Sequence, residues 1–407
     1  MAAKKKKKRW RLRIGVTLLC LVVAWVLFSH LVVRRAAVAW LDKHYVGEAR
    51  VPFVILWPWM DADAFGVTLL ADDGDYEHTL TASRVSVDLD VFGLFGGGAV
   101  KEIHVTGLRG LIREGSDLEL FKSRRAGTGT AIEAGDDVDL DPPTIPPIRF
   151  TGPRIDVVDD QGRRRELVRA DTALLEQRDA RSFKLIMTRG VIAYVPFEKL
   201  KTRLVPRRDR LLVDRFKIHA FDGLAEGYLE IRRKGTGDER VNGQLEWRSV
   251  ELRDVARTYG LSHAEEMDGR LQGEVVFQGK SLAPSELKGK GRIKLTDGNF
   301  VSPVTLQVVL VLDIPVDRPS VFSRAEATFS FEGRRIYIEA AKGYGSSFDL
   351  TGQGIVTFGG FADLEVTHHT TTVAVTGKLN RPRVKILPLN HITRPFERLF
   401  RERLPDE

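Results

Sequence analysis

Few side chains in this chain are spaced for chemistry, and each has a plain structural reading beside the chemical one. His368-His369 is the one histidine pair. Two imidazoles can ligate a metal, but neighbours on a strand point to opposite faces, so this pair is expected not to share one ion. Asp72-Asp73-Gly74-Asp75 has the composition of a calcium loop without the downstream spacing and glutamate of an EF-hand, which predicts a solvated turn. Lys342-Gly343-Tyr344-Gly345-Ser346-Ser347 resembles a phosphate loop, lacks its Lys-Ser/Thr ending, and sits between two strand patterns, which predicts a β turn. GxSxG, HExxH, Walker A and a strand-to-helix GxGxxG are all missing from the sequence. Cys20 is the only cysteine, so the chain has no intramolecular disulfide, cysteine metal site or CxxC pair. The expectation is a non-enzyme without a cofactor or metal; a hydrolase whose catalytic groups are far apart in sequence is the alternative with the least support.

Charge also argues against one class of partner. The 407 residues carry a net charge of +8. Lys4, Lys5, Lys6, Lys7, Lys8, Arg9, Arg11 and Arg13 account for it: removing those eight from the 63 Lys and Arg leaves 55, equal to the 55 Asp and Glu. The body is neutral, and its aromatic residues are not interleaved with basic patches, so nucleic acid is not an expected partner. A basic arm before an apolar run is a topology signal first.

That run is Ile14 to Val33, free of acidic and fixed basic residues. Twenty helical residues rise about 30 Å, the thickness of a bilayer's hydrocarbon core. The positive-inside rule places residues 1–13 in the cytoplasm and the bulk of the chain on the far side of a single span. Ala37-Val38-Ala39 is an A-x-A match that keeps a cleaved signal peptide as an alternative; the length of the run and the intervening Arg34 and Arg35 argue against it. The lysine arm can also meet anionic lipid head groups.

These elements have a β frame to position them. Residues 36–45 are expected to prolong the helix. Beyond them apolar and polar residues alternate, the mark of half-buried strands. Val85, Val87 and Leu89 alternate with Ser86 and Asp88; FKIHA, GQLEW, GRIKL and EATFSFEG repeat the pattern. Asp268-Gly269 and Asp297-Gly298 read as turns. Glu251 to Leu261 reads as a short helix with Leu252, Val255 and Tyr259 on one face. Residues 122–148, rich in Gly, Asp and Pro, read as an exposed loop or disordered insertion. Phe396, Leu399 and Phe400 among arginines predict a C-terminal amphipathic helix, read first as a cap on the β structure and second as an interfacial helix. No fixed-length repeat stands out. The expected organisation is a basic arm (1–13), a transmembrane helix (14–33), an N-terminal β region (34–121), the loop (122–148), a β-groove region (149–390), and the C-terminal helix and tail (391–407).

The motifs are similar to those of the AsmA-like family of inner-membrane proteins of double-membrane bacteria, which includes TamB-type relatives. The resemblance rests on the anchor, on Ala82 to Glu114, on Leu245 to Gly279, on LKGKGRIKLTDGNFVSPVTL (Leu287 to Leu306), and on the closing strands to Asn390. It covers roughly Leu18 to Asn390 and is weakest over Lys122 to Arg210. It implies an elongated, curled antiparallel β-sheet forming a groove, an inner-membrane location with a periplasmic body, and a role in outer-membrane homeostasis or lipid transport between membranes. It supplies no catalytic residues. The family's bridge-like members are far longer, so direct bridging by this chain is not implied.

A sheet with one apolar face must bury it, close on itself, or offer it to an apolar ligand. One reading is therefore a lipid-handling protein, with phospholipid the candidate ligand. The other is a non-catalytic scaffold for envelope proteins, its core filled by its own side chains. Lipid-contact candidates are Val85, Val87, Leu89, Val275, Phe277, Ile293, Leu295, Phe329, Phe331, Ile336, Ile338, Phe348 and Leu350, with Ile103, Val105, Val373 and Val375 on the same expected inner face. Ile355 is also expected to point inward.

Overall fold

The computed structural model describes residues 23–28, 30–31, 33–35, 38–39, 48–57, 61–72, 77–89, 100–113, 145–158, 162–179, 181–192, 194–207, 210–232, 241–260, 264–280, 284–299, 311, 323–345, 349–379 and 381–387. The chain divides into two compact units, Met1–Ile218 and His219–Glu407. Strands dominate both, as the alternation requires, and helices are few.

In the first unit, β1 (Glu48–Arg50) and β2 (Phe53–Leu56) both pair antiparallel with β3 (Ala62–Asp72), which pairs with β4 (Glu77–Leu89). Two broken strands follow. β5 (Val100–Thr106) and β6 (Arg109–Arg113) lie end to end along β4; β7 (Ile148–Thr151) and β8 (Arg154–Val158) lie end to end along β9 (Arg164–Asp179). β10 (Ser182–Ile192) and β11 (Val195–Pro206) continue the order, and β12 (Arg210–Ala220) carries the chain to the unit boundary.

The pairs β5–β7 and β6–β8 are parallel, a correction to the wholly antiparallel sheet expected from sequence. Both broken strands kink at the same tetrad pattern, Thr106-Gly107-Leu108-Arg109 and Thr151-Gly152-Pro153-Arg154. Gly107 and Gly152 take positive φ of 65° and 63°, open to glycine and strained for other residues. The kinks are stitched in register: Gly107 N–H donates to Thr151 O at 2.9 Å, and Arg154 N–H to Leu108 O at 2.9 Å.

The second unit is a meander of ten consecutive antiparallel strands among its described residues. They are β13 (Gly223–Arg232), β14 (Val241–Glu251), β15 (Asp268–Gly279), β16 (Leu287–Asn299), β17 (Arg324–Glu332), β18 (Arg335–Tyr344), β19 (Asp349–Thr357), β20 (Phe361–His368), β21 (Thr371–Lys378) and β22 (Arg381–Ile386). Each hairpin returns the chain beside the strand it left, so register is set locally.

Two turn expectations fail. Asp268-Gly269 opens β15 and Asp297-Gly298 lies inside β16, facing each other across a register shift. A Cβ on Gly269 would stand 2.8 Å from the Gly298 Cα, so the glycines serve a close backbone approach.

The expected helix forms over Leu252–Thr258. Leu252 and Ala256 are buried, with Ala256 at 0% exposure, against Met267 and Leu295; Ala264, Leu271 and Ala325 flank them. Tyr259, expected on that face, is the C-cap residue and exposed, because the helix ends first and Ala256 takes the inward place.

Helical residues within 23–39 precede the strands. Among the described residues no helix is long and apolar enough to cross a membrane. Residues 14–22, 29 and 32 of the expected span lie outside them, as do most of 36–45, residues 122–144, 388–407 and the C-terminal helix. Ile145 to Pro147 have no regular secondary structure, and Ile148, expected in the loop, opens β7.

Candidate functional site

Cross-strand pairs share a face, so register alone sorts the second unit's side chains. One row runs Leu245, Val275, Gly291, Phe329, Ile338, Gly354, Leu364, Val375 and Val384. The next runs Gly243, Phe277, Gly289, Phe331, Ile336, Val356 and Ala362. On the other side of the first, Trp247, Gly273, Ile293, Ala327, Ala341, Gly352, Val366 and Val373 align, followed by Leu271, Leu295, Ala325, Gly343 and Leu350. Every described lipid-contact candidate of this unit falls on this one apolar face, and Phe348 lies outside the described residues. Ile355 is a correction: it aligns with Tyr337 and Asp363 on the opposite face, and Val356 points inward.

In the first unit Val85 and Val87 align with Val105 and Ile103, then with Phe150 and Ile148, and on the other side with Ala64 and Ala62. Leu89 pairs with Val100 beyond a register shift.

Burial grades along the second unit's apolar face. Leu295, Leu350, Val373 and Val375 are buried, while Val275, Phe277, Ile293, Phe329, Phe331, Ile336 and Ile338 are only partly covered. The polar side is open: Val276, next to Val275, is 44% exposed. The Leu252–Thr258 helix covers the end where Leu271 and Leu295 lie.

Aromatic rings floor the partly covered region in a specific way. A Cβ on Gly243 would stand 2.6 Å from a ring carbon of Phe277. The corresponding distance is 2.7 Å from Gly289 to Phe331, 2.8 Å from Gly291 to Phe329, and 2.5 Å from Gly273 to Trp247. Each ring therefore reaches across the bare backbone of a neighbouring strand. The floor is low and smooth, with aromatic surface where side chains would otherwise stand up. Trp247 was missed as a candidate although GQLEW carries the alternation that could have found it.

The opposite face has another character. A depression of about 650 Å³ is lined by Glu246, Arg248, Gln272, Glu274, Arg292 and Lys294 among others. Arg292 Nε lies 3.0 Å from Glu274, and Arg248 Nη2 lies 2.7 Å from Glu246. The charges there answer one another, so it is a solvated ion-pair ladder and selects no ligand charge.

Asp63 is the densest polar node, also missed from sequence. It is 2% exposed and accepts from Arg84 Nε at 3.0 Å and Nη2 at 2.7 Å, Ser86 Oγ at 2.6 Å, and Trp57 Nε1 at 2.8 Å. Burial alone raises such a carboxyl; the bonds from Arg84, Ser86 and Trp57 and the Arg84 charge outweigh it and hold Asp63 below the ordinary carboxylate value. With its lone pairs so occupied, Asp63 is a structural lock.

The histidine expectation fails in its reason. His368 ends β20, and His369 sits in the turn with φ of 52°, which brings the rings to 4.1 Å instead of placing them on opposite faces. No group of three or more His, Cys, Asp or Glu side chains is placed to hold a metal among the described residues.

No family model matches the chain, and no curated protein or solved structure matches it.

Proposed function

We propose that this chain is a membrane-anchored, non-catalytic lipid-handling protein whose apolar sheet face receives acyl chains. The observation that carries the reading is the second unit's apolar face, whose central rows are only partly covered and floored by aromatic rings laid over glycines. Each apolar Å² left to water forgoes about 25 cal/mol, so a sequence that keeps such a face uncovered favours an apolar occupant. The resemblance to the AsmA-like family adds the expected setting: an inner-membrane anchor at residues 14–33, a cytoplasmic basic arm, a periplasmic body, and a part in outer-membrane homeostasis. Phospholipid is the proposed ligand.

Photo-crosslinking tests it. A photoreactive residue at Val275 or Ile338 should capture phospholipid in intact cells, and one at Tyr337 or Ile355, on the opposite face, should not. Native mass spectrometry of detergent-extracted protein should show the same lipid bound. Empty protein, with stable co-purifying proteins, would instead support a scaffold for envelope proteins.

A further inference from the structure

The described helical residues within 23–39 do not stand free of the β structure. Trp25 Nε1 donates to Leu56 O at 2.6 Å, Val54 N–H to His30 Nδ1 at 3.5 Å, and Arg34 Nε to Val51 O at 2.7 Å. The His30 ring lies 5.1 Å from Phe53. Helical geometry explains the choice of contacts: Val26, His30 and Val33, at spacings of four and three, are the partly buried stripe. Leu27, Phe28 and Leu31 turn away from the stripe, exposed by 56%, 54% and 54%.

The contact order is antiparallel: as the helix is followed back from Arg34 to Trp25, the β segment advances from Val51 to Leu56. A step of nine residues, from Trp25 to Arg34, corresponds to about 13 Å at helical rise. Five extended residues cover about 17 Å. The two segments are therefore matched side by side. If residues 14–33 span the bilayer, Trp25 stands about 12 Å below Val33. Leu56, bonded to Trp25, must then lie well below the outer end of the span.

The sequence suits that depth. Val51 to Met60 reads VPFVILWPWM, ten residues without a charge. Phe53 is 39% exposed and Pro52 is exposed. The nearest buried charge, Asp63, opposite Ile55, is closed off by Arg84, Ser86 and Trp57. Trp is the residue favoured where acyl chains meet head groups.

We propose that the β2–β3 hairpin is a membrane wedge: clamped to the outer half of the anchor helix, it dips past the acyl–headgroup boundary into the outer leaflet, with Phe53 and Pro52 facing lipid. This rests on the anchor reading above. Its consequence is that lipid is met by the exposed Pro52 and Phe53, while Val54, 3% exposed, stays within the β structure.

Nitroxide labels test it, in a Cys20→Ser background, on full-length protein in phosphatidylethanolamine–phosphatidylglycerol vesicles. Labels go on Phe53→Cys, Pro52→Cys, Leu27→Cys and Tyr228→Cys, each checked for unchanged thermal unfolding. The expected result is a severalfold loss of collision with a water-soluble nickel chelate, and a gain with oxygen, at positions 53, 52 and 27 relative to 228. Lipid-like accessibility at 27 with water-like accessibility at both 53 and 52 overturns the wedge and leaves the anchor standing. Water-like accessibility at 27 overturns the anchor and the wedge together.

Discussion

At the scale of single residues, Asp63 is the position on which most depends. Its four donors come from β3's neighbours and the preceding turn, and one change disconnects all of them. Asp63→Asn keeps the shape but removes the charge opposite Arg84 and turns an acceptor oxygen into a donor facing Trp57 or Ser86. It should cost about 2 kcal/mol of stability at neutral pH, read by urea unfolding. The folded carboxyl titrates below its unfolded value, so its contribution is fully present above the unfolded value of about 4 and is lost as pH falls through the folded one. The gap between the two proteins should therefore be widest at neutral pH and close on acidification below about pH 4. A gap that stays constant down to pH 2 would show that charge has no part in it. None of this was legible in the sequence, because Trp57, Arg84 and Ser86 meet Asp63 only through the register of β3 on β4. The histidine pair failed in the same way: strand parity was applied to a residue that the turn places at positive φ.

At the scale of elements, the pairing of rings with glycines is a property of adjacent strands and neither residue shows it alone. Gly243 and Phe277 give the clearest case, since the ring is the nearest obstacle to a Cβ on that glycine. Gly243→Ala should destabilise by about 1–3 kcal/mol as the ring is pushed aside. Phe277→Leu removes the obstacle at its own cost in packing, so the double variant should cost less than the sum, with a coupling of about 1 kcal/mol in a double-mutant cycle. Strict additivity would mean the ring does not rest on that glycine. The same scale shows where sequence reading succeeds. Period two placed Val275, Phe277, Phe329, Phe331, Ile336 and Ile338 on one face because hairpins keep register local and a one-residue slip would invert the face. It broke down at backbone irregularities. The two Asp-Gly pairs mark a register shift inside paired strands. Ile355 is no such case: counted from Leu350, period two selects Gly352, Gly354 and Val356, and Ile355 departs from it. The parallel pairs were hidden because β6 and β7 are joined through residues 114–147, although the repeated Thr-Gly-x-Arg tetrad was there to be read.

At the scale of the whole molecule, the choice is between a face kept open for an apolar ligand and a face filled by the protein itself, and one strand can decide it. Tyr337 and Ile338 are neighbours on β18, both partly covered, on opposite sides of the sheet. A carboxylate sealed into a filled core without a partner costs several kcal/mol. A carboxylate that reaches water in an open trough costs about 1 kcal/mol. Under the lipid-handling reading, Ile338→Asp should leave the protein folded, with a loss of stability close to that of Tyr337→Asp, and should abolish phospholipid retention that Tyr337→Asp leaves intact. Under the scaffold reading, Ile338→Asp should unfold the second unit, and neither variant should change bound lipid, because none is held. Unfolding by urea and native mass spectrometry on the same two variants separate these outcomes. The buried positions bear on the expected result: Leu295, beside the helix, and Val373 and Val375, on β21, are sealed, whereas Ile338 lies in the partly covered rows between β18 and its neighbours. An occupant of that region would meet aromatic rings from Phe329 and Phe331 on one side and Ile336 and Val356 on the other, a surface that dissolves an acyl chain and offers no hydrogen bond to a polar one.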